Sequence, residues 1–319
     1  SPDSWLAQHH PEWFYHKPDG SFGNRIGEWS DIIDLDYGNP GLWDYQIETL
    51  KGWAEIVDGF RCDVAPLVPR EFWLRARREV ETVRPGCLWL AESVEPEFIR
   101  DNRNRGMVSH SDCELYQAFD LCYDYDIYGD FLSYVQGKAE LTDYVRALER
   151  QESIYPADYA KLRFLENHDR PRMAHLFPDR RTRLNWLCWM FFQKGTALLY
   201  GGQEWENDHR PDLFDPDPIP MEDPAPLEGL IRRLTALKKD PILSHGVYSL
   251  QACTNDTLLA VWKEEGRRLT GAFCLRGAPS LVSVELPDGR YENLLEPGKT
   301  LRVESGLLSL DGNPAVLQS

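Results

Sequence analysis

The chain has 319 residues, of which 42% are hydrophobic and 27% are charged, a composition typical of a globular protein large enough for about two domains. Its 35 Lys and Arg stand against 52 Asp and Glu, giving a formal net charge of −17, so the surface should repel phosphate backbones and anionic membranes. With no basic stripe, no Gly-rich phosphate loop and no stretch of membrane-spanning length, nucleic acid and membrane are excluded as expected partners, and a neutral substrate fits better.

The first 37 residues contain many aromatic and turn residues but no sustained periodicity, which predicts a long loop or a small subdomain. A helix is predicted from Pro40, capped by Asn39, and a second helix is predicted to begin at Pro69 and to stop at Pro85-Gly86. Apolar runs at 57–65 and 88–93 read as strands on either side of the second helix. Strand, helix and strand at this interval predict a parallel βαβ unit.

Further strands are predicted at 118–123, 164–169 and 196–200, with helices at 129–150, 183–192 and 227–239. Gly137 should weaken the middle of the first of these helices. Residues 95–111 could be helix or loop, and the Pro- and Asp-rich segment 205–226 is expected to be mobile or to face a partner. After Pro241, short runs separated by turn residues predict an antiparallel β-sandwich, with strands at 247–252, 257–262, 268–275, 281–286, 290–295 and 299–303.

Seven cysteines, at 62, 87, 113, 122, 188, 253 and 274, show neither paired nor metal-binding spacing. Most of them lie in apolar runs, so we expect buried thiols in a reducing compartment and therefore a cytoplasmic protein.

The strand at 57–65 carries Arg61 and Asp63 two residues apart, and strand alternation places such residues on one face. One interpretation is a satisfied ion pair at a strand end. The other is that Arg61 holds Asp63 ionised and oriented, as a carboxylate nucleophile requires.

Two later apolar runs also end in acidic groups. Leu88–Ser93 ends in Glu92, and Phe164–Asp169 ends in His168 and Asp169. Taken in order, the segments GFRCD, LAES and ENHD resemble three signature regions of the α-amylase family of glycoside hydrolases. Their order, and spacings that leave room for a helix between them, make the match specific.

The resemblance implies a (β/α)8 barrel followed by a C-terminal antiparallel β-sandwich. Residues 1–37 would be the family's inserted loop domain, 38–243 barrel strands four to eight, and 244–319 the sandwich. Ser1–Trp5 looks like the sequence that directly follows the first signature, so this chain is expected to lack the first three βα units. An N-terminal segment or a second chain would then complete the barrel, because an open five-stranded arc exposes unpaired edges.

The resemblance also implies a retaining mechanism that passes through a covalent glycosyl-enzyme. Asp63 would be the nucleophile, and Glu92 the acid and base, with a pKa raised by its apolar strand. Asp169 and His168 would bind sugar hydroxyls beside Arg61. The expected substrate is an α-linked oligosaccharide or polysaccharide, and activity should be impaired in the truncated chain.

The sequence departs from the family where many members carry a Lys-His pair after the nucleophile, because Ala65-Pro66-Leu67 stands there. Short malto-oligosaccharides are therefore as well supported as starch. Asp34 matches a position that helps to bind calcium in some relatives; no cofactor is expected, and calcium stays open as the alternative. Two alternatives stay open: an α-glucosyltransferase, and a non-catalytic carbohydrate-binding or scaffold protein.

Overall fold

In a computed structural model, which describes residues 1–27, 29 and 32–319, the chain divides into two units, Ser1–Cys122 and Tyr123–Ser319. Glu28, Ser30 and Asp31, which belong to the predicted loop domain at 1–37, lie outside the described residues. No helix in the described part of the chain is both long and apolar enough to cross a membrane.

The N-terminal region of the first unit is mostly irregular, as predicted. It contains α1 (Trp5–His9), a short 3₁₀ helix (Pro11–Trp13) and the isolated bridges Phe14↔Leu35 and His16↔Phe22. Ala7, Trp13 and Phe14 pack against Leu42 and form a small apolar cluster of their own. This cluster gives the segment a core despite its lack of regular structure.

The parallel strands of the first unit follow chain order. β1 (Gly59–Cys62) pairs with β2 (Leu88–Ala91), which pairs with β3 (Leu121–Tyr123). α2 (Pro40–Ala54) leads into β1, and α3 (Arg70–Val80) joins β1 to β2, which confirms the predicted βαβ unit. The Asn39 side chain accepts a hydrogen bond from the Gly41 N–H at 3.1 Å and caps α2 as expected.

The helices and strands of the first unit bury one apolar core, which includes Phe72, Trp73, Trp89 and Phe119. The undecided segment 95–111 contains α4 (Pro96–Asn104), and α5 (Asp112–Leu115) follows it. Arg77 donates to the Ala118 carbonyl at 2.9 Å and so connects α3 to the segment that leads into β3.

In the second unit, β4 (Ala160–Arg163) pairs in parallel with β5 (Thr196–Ala197). The predicted strand at 164–169 is wrong, because the strand ends at Arg163 and this segment follows its carboxyl end. The reason is that Lys161 and Arg163 lie buried within the strand, paired with Asp126 and Asp124 at 2.7 Å. Because two of its four residues are basic, this strand cannot be recognised from the pattern of apolar residues in the sequence.

The predicted helix at 129–150 is two helices, α6 (Tyr128–Val135) and α7 (Leu141–Ile154). Gly137 lies between them with a φ of +70°, a conformation that favours glycine and ends a helix. The remaining helices of this unit are α8 (Met173–Leu176), α9 (Arg180–Phe192), α10 (Glu228–Lys238) and α11 (Ile242–His245). α9 is buried on nearly every side along its second half, from Asn185 to Phe192, as expected for a core helix.

The C-terminal part forms two four-stranded antiparallel sheets, which confirms the predicted sandwich. Their orders are β10-β11-β12-β9 and β13-β8-β7-β6, and side chains from both, such as Val261 and Leu308, share one apolar core. The last two strands, β12 and β13, were not predicted. The strands are β6 (Val247–Cys253), β7 (Thr257–Glu264), β8 (Arg267–Cys274), β9 (Ser280–Ser283), β10 (Gly289–Glu292), β11 (Thr300–Glu304), β12 (Leu307–Leu310) and β13 (Ala315–Gln318).

Candidate active site

Two carboxylates follow neighbouring strand ends in the first unit. Cys62 and Ala91 are paired at the ends of β1 and β2, so Asp63 and Glu92 are the first residues beyond them. The carboxyl ends of parallel strands share one edge of a sheet, and that edge is where enzymes of this architecture place their reactive groups.

Arg61 connects the two carboxylates. Its Nη1 forms an ion pair with Asp63 Oδ1, and its Nη2 forms one with Glu92 Oε1. The Asp63 side chain is 76% exposed, whereas the Glu92 side chain is only 9% exposed. One acid is therefore open to a ligand while its neighbour is shielded, and a single guanidinium orients both.

Val64 supplies a further contact, which sequence reasoning missed. Its backbone N–H donates to Glu92 Oε2 at 2.9 Å, and Val64 adopts a left-handed conformation with a φ of 40°. This conformation is unfavourable for a β-branched residue. No sequence signal could have found it, because left-handed positions are anticipated from Gly, Asn or Asp.

Cys62, the residue between Arg61 and Asp63, is buried in the apolar core and anchors the end of β1 there. Burial raises the pKa of the Cys62 thiol to about 12, so this sulfur is an inert packing group, as the sequence predicted. Of the other six cysteines, only Cys113 is exposed and Cys253 is half-buried. The expectation of mostly buried thiols is therefore confirmed.

In the second unit, His168 and Asp169 lie on the segment that follows β4. His168 Nε2 is 3.2 Å from Asp169 Oδ2, and both side chains are partly exposed. The Asp169 N–H donates to Asn167 Oδ1 at 2.9 Å, and Arg210 Nη2 donates to the Asp169 carbonyl at 3.1 Å. The backbone at Asp169 is therefore held from two sides.

A buried ion pair between Arg172 and Glu166 stabilises this segment. Arg172 Nη1 donates to Glu166 Oε1 at 2.6 Å, and both side chains are almost fully buried. Arg172 also donates to the carbonyls of Gly201 and His209, at 3.0 and 2.8 Å. Although burial raises the pKa of Glu166, these contacts give its charge a direct partner and connect the Asp169 segment to the loop after β5.

The structure thus brings Arg61, Asp63 and Glu92 together in the first unit and His168 and Asp169 together in the second. That all five surround one sugar stays a prediction.

Comparison with known proteins decides the family. A model of the α-amylase catalytic domain matches residues 2–220, and a model of the bacterial α-amylase C-terminal domain matches residues 249–317. The chain belongs to the α-amylase family. The resemblance drawn from GFRCD, LAES and ENHD is therefore confirmed, as are the predicted parallel-strand domain and C-terminal antiparallel sheets.

Solved α-amylases have the same fold. The structure superposes on an α-amylase from Lactobacillus plantarum with a TM-score of 0.95 and 45% identity, covering 100% of this chain and 75% of that chain. A noncanonic maltogenic α-amylase, AmyB from Thermotoga neapolitana, gives a TM-score of 0.82 and 29% identity, covering 99% of this chain and 74% of that one.

Curated relatives include both transferases and hydrolases. An α-1,4-glucan:maltose-1-phosphate maltosyltransferase from Rhodospirillum rubrum is 29% identical over 174 residues, which is 52% of this chain and 22% of the relative. The α-amylase MalA from Haloarcula japonica is 26% identical over 204 residues, which is 63% of this chain and 28% of the relative. The chain thus covers only 22% and 28% of the length of these two relatives.

Some members of the α-amylase family bind calcium near the position of Asp34, so the fit of that site matters. Asp34 Oδ2 accepts the Arg25 backbone N–H at 2.6 Å and lies 3.6 Å from the Arg25 guanidinium. The same guanidinium is 3.9 Å from the Asp36 carboxylate. Among the described residues, the carboxylates of Asp34 and Asp36 both face the Arg25 guanidinium, whose positive charge would repel a calcium ion, so these groups do not fit the ion.

Proposed function

We propose that the protein is a retaining α-glycoside hydrolase that acts on α-glucans or malto-oligosaccharides. The observation that carries the proposal is the Arg61 guanidinium, which bridges an exposed and a buried carboxylate at adjacent strand ends. Retaining glycosidases need two nearby carboxyl groups in different environments, and this pair meets that need.

Asp63 is the proposed nucleophile. Its exposed carboxylate forms a bond to the anomeric carbon, while the glycosidic oxygen leaves with a proton from Glu92. Glu92 then removes a proton from water, the water oxygen bonds to the anomeric carbon, and the bond to Asp63 breaks. Two displacements at one carbon restore the original configuration.

Arg61 has two proposed roles in this cycle. Its charge stabilises Asp63 as a carboxylate before attack and again when Asp63 leaves the sugar. It also fixes the position of Asp63 relative to Glu92 through two N–H groups of one rigid plane. Arg61 therefore contributes geometry as well as charge.

Asp169 and His168 are the proposed contacts to sugar hydroxyls. Both side chains are partly exposed, and the backbone at Asp169 is held by Asn167 and Arg210. A carboxylate that accepts and an imidazole that donates suit the mixed hydrogen bonding of a hydroxyl pair.

The test measures maltotriose hydrolysis by the full-length gene product. Asp63→Asn and Glu92→Gln should each lower kcat by about 10²- to 10⁴-fold, because each removes a reacting group and keeps its shape. Asp169→Asn should also lower kcat/KM. The matched control is Asp58→Asn, which alters an exposed acid at the opposite end of the same strand, paired with Arg84. Full activity in Glu92→Gln would refute the proposal.

A glucosyltransferase is the second candidate, favoured by the curated relatives that are named maltosyltransferases. In that case a sugar hydroxyl replaces water in the second displacement, with the same residues. Product analysis with maltose discriminates, because hydrolysis yields glucose alone and transfer yields longer oligosaccharides. Binding of maltoheptaose without any turnover would instead indicate the non-catalytic alternative.

A further inference from the structure

The turn that follows Asp63 is held by a part of the chain that the site described above does not include. Val64 keeps a left-handed φ of 40° while its N–H donates to Glu92 Oε2 at 2.9 Å. A strained backbone of this kind persists only where the surrounding contacts impose it. The residues that hold the segment 64–70 therefore decide whether the Val64 N–H stays directed at Glu92.

His110 contacts this segment at two points. Its backbone N–H donates to the Pro66 carbonyl at 2.9 Å, and its ring Nε2 lies 3.1 Å from the Arg70 backbone nitrogen. Because a backbone N–H can only donate, Nε2 must be the acceptor, and the ring proton is on Nδ1. The neutral ring thus accepts from the first residue of α3, where the N-cap residue, Pro69, has no side-chain acceptor.

A second donor holds the neighbouring carbonyl. Trp73 Nε1 donates to the Ala65 carbonyl at 3.1 Å, and both side chains are buried. The Leu67 N–H closes the turn on the Val64 carbonyl at 3.0 Å. The two carbonyls that follow Val64, those of Ala65 and Pro66, are therefore fixed by donors from α3 and from the segment before α5.

His110 is itself fixed through its neighbours in the sequence. Arg103 Nε donates to the Ser109 carbonyl at 2.7 Å, and Arg103 Nη2 pairs with Glu114 Oε2 at 2.5 Å. The same carboxylate oxygen accepts from the Ser111 N–H and hydroxyl, both at 2.7 Å. Both neighbours of His110 are thus held, and its ring Nδ1 faces Glu114 Oε1 at 3.6 Å, which leaves the ring little freedom to turn away from α3.

We propose that His110 is a positioning residue for Glu92. By holding the Pro66 carbonyl and the start of α3, it keeps the Val64 N–H directed at Glu92 Oε2. The proposal rests on the proposed function, because His110 acts through the acid and base role assigned to Glu92. Loss of the ring acceptor should preserve the fold but slow the proton transfers of Glu92, which depend on its accurate position.

Two variants that differ by one methylene group test this role. His110→Gln can place its amide oxygen near the position of Nε2, whereas the amide of His110→Asn reaches only as far as Nδ1. In the full-length gene product, kcat/KM for maltotriose should fall by about tenfold or more in His110→Asn and stay within about threefold of the wild-type value in His110→Gln. His110→Leu also removes the acceptor, and it replaces His110→Asn if that variant does not unfold cooperatively.

A second substrate shows whether the defect lies in the acid step. In α-maltosyl fluoride, the fluoride ion leaves the anomeric carbon as Asp63 bonds to it, and this departure needs no proton from Glu92. Because kcat/KM covers the steps up to formation of the glycosyl-enzyme, His110→Asn should keep kcat/KM for the fluoride within about threefold of the wild-type value. Val80→Ala is the control, because it creates a cavity at the opposite, buried end of α3 and should lower the Tm without affecting either substrate.

Equal losses on both substrates in His110→Asn would overturn the proposal, since they would indicate a general structural defect. Unchanged maltotriose hydrolysis in His110→Asn, or a His110→Gln variant that is equally impaired, would also overturn it. Failure of the proposed function would appear separately, as full maltotriose hydrolysis in Glu92→Gln, whatever the His110 variants do.

Discussion

Val64→Gly tests whether the turn after the proposed nucleophile is strained. A β-branched residue at a φ of 40° costs about 1–3 kcal/mol, and glycine removes that cost. Against this, a half-buried valine side chain contributes about 1 kcal/mol, and the extra freedom of glycine in the unfolded chain costs about 0.5–1 kcal/mol. The free energy of unfolding should therefore change by an amount between a loss of about 1 kcal/mol and a gain of about 1.5 kcal/mol.

Val68→Gly is the matched control. Val68 is also half-buried but has an ordinary φ of −100°, so the same substitution has no strain to relieve and should destabilise by about 2 kcal/mol. Urea unfolding of both variants measures the difference. Equal destabilisation by the two substitutions would refute the claim that the backbone at Val64 is strained.

Three further outcomes are expected. Burial alone would raise the pKa of Glu114, but hydrogen bonds from Ser111 and the charge of Arg103 lower it from 4.5 to about 2. The stability that Glu114 contributes is therefore complete above pH 4.5 and is lost as the pH falls toward 2. Glu114→Gln should flatten that part of a plot of the unfolding free energy against pH. With a thiol pKa of about 12, a fraction of about 10⁻⁴ of Cys62 should be thiolate at pH 8, so Cys62 should not react with a thiol reagent in the folded protein. The exposed Cys113 should react fast instead, and this fast reaction should disappear in Cys113→Ser. Chelation by EDTA should leave the Tm unchanged, because Arg25 already neutralises Asp34; a fall in Tm that added calcium reverses would contradict this.

The order of elements could be predicted because their ends carry strong local signals. Asn39-Pro40 marks a helix start, Pro85-Gly86 marks a stop, and the turn residues after 241 separate strands that alternate or are rich in β-formers. The candidate site could be predicted for a different reason. Polar residues such as Asp63 and Glu92 follow apolar strands, and parallel topology then brings strand ends to one edge.

The failures share a physical cause, which is pairing across long sequence distances. The strand Ala160–Arg163 was missed because Lys161 and Arg163 are neutralised by Asp126 and Asp124, more than thirty residues earlier in the chain. A local pattern shows two exposed-looking cations there and cannot show their partners. The left-handed Val64 was missed similarly, since its conformation is imposed by the surroundings and not by its own preference.

The contacts of Glu92 constrain the proposed mechanism. Its two oxygens accept from Arg61 and from the Val64 N–H, an arrangement that suits an ionised carboxylate, the form that the base step of the proposed mechanism requires. To act as an acid, Glu92 must carry a proton on one oxygen, and that oxygen then needs an acceptor instead of a donor. Arg61 is the donor that can move, because it is a side chain that already contacts Asp63, whereas the Val64 N–H belongs to the backbone. Protonation of Glu92 should therefore shift Arg61 toward Asp63, which keeps Asp63 ionised at the step in which the proposed mechanism has it attack.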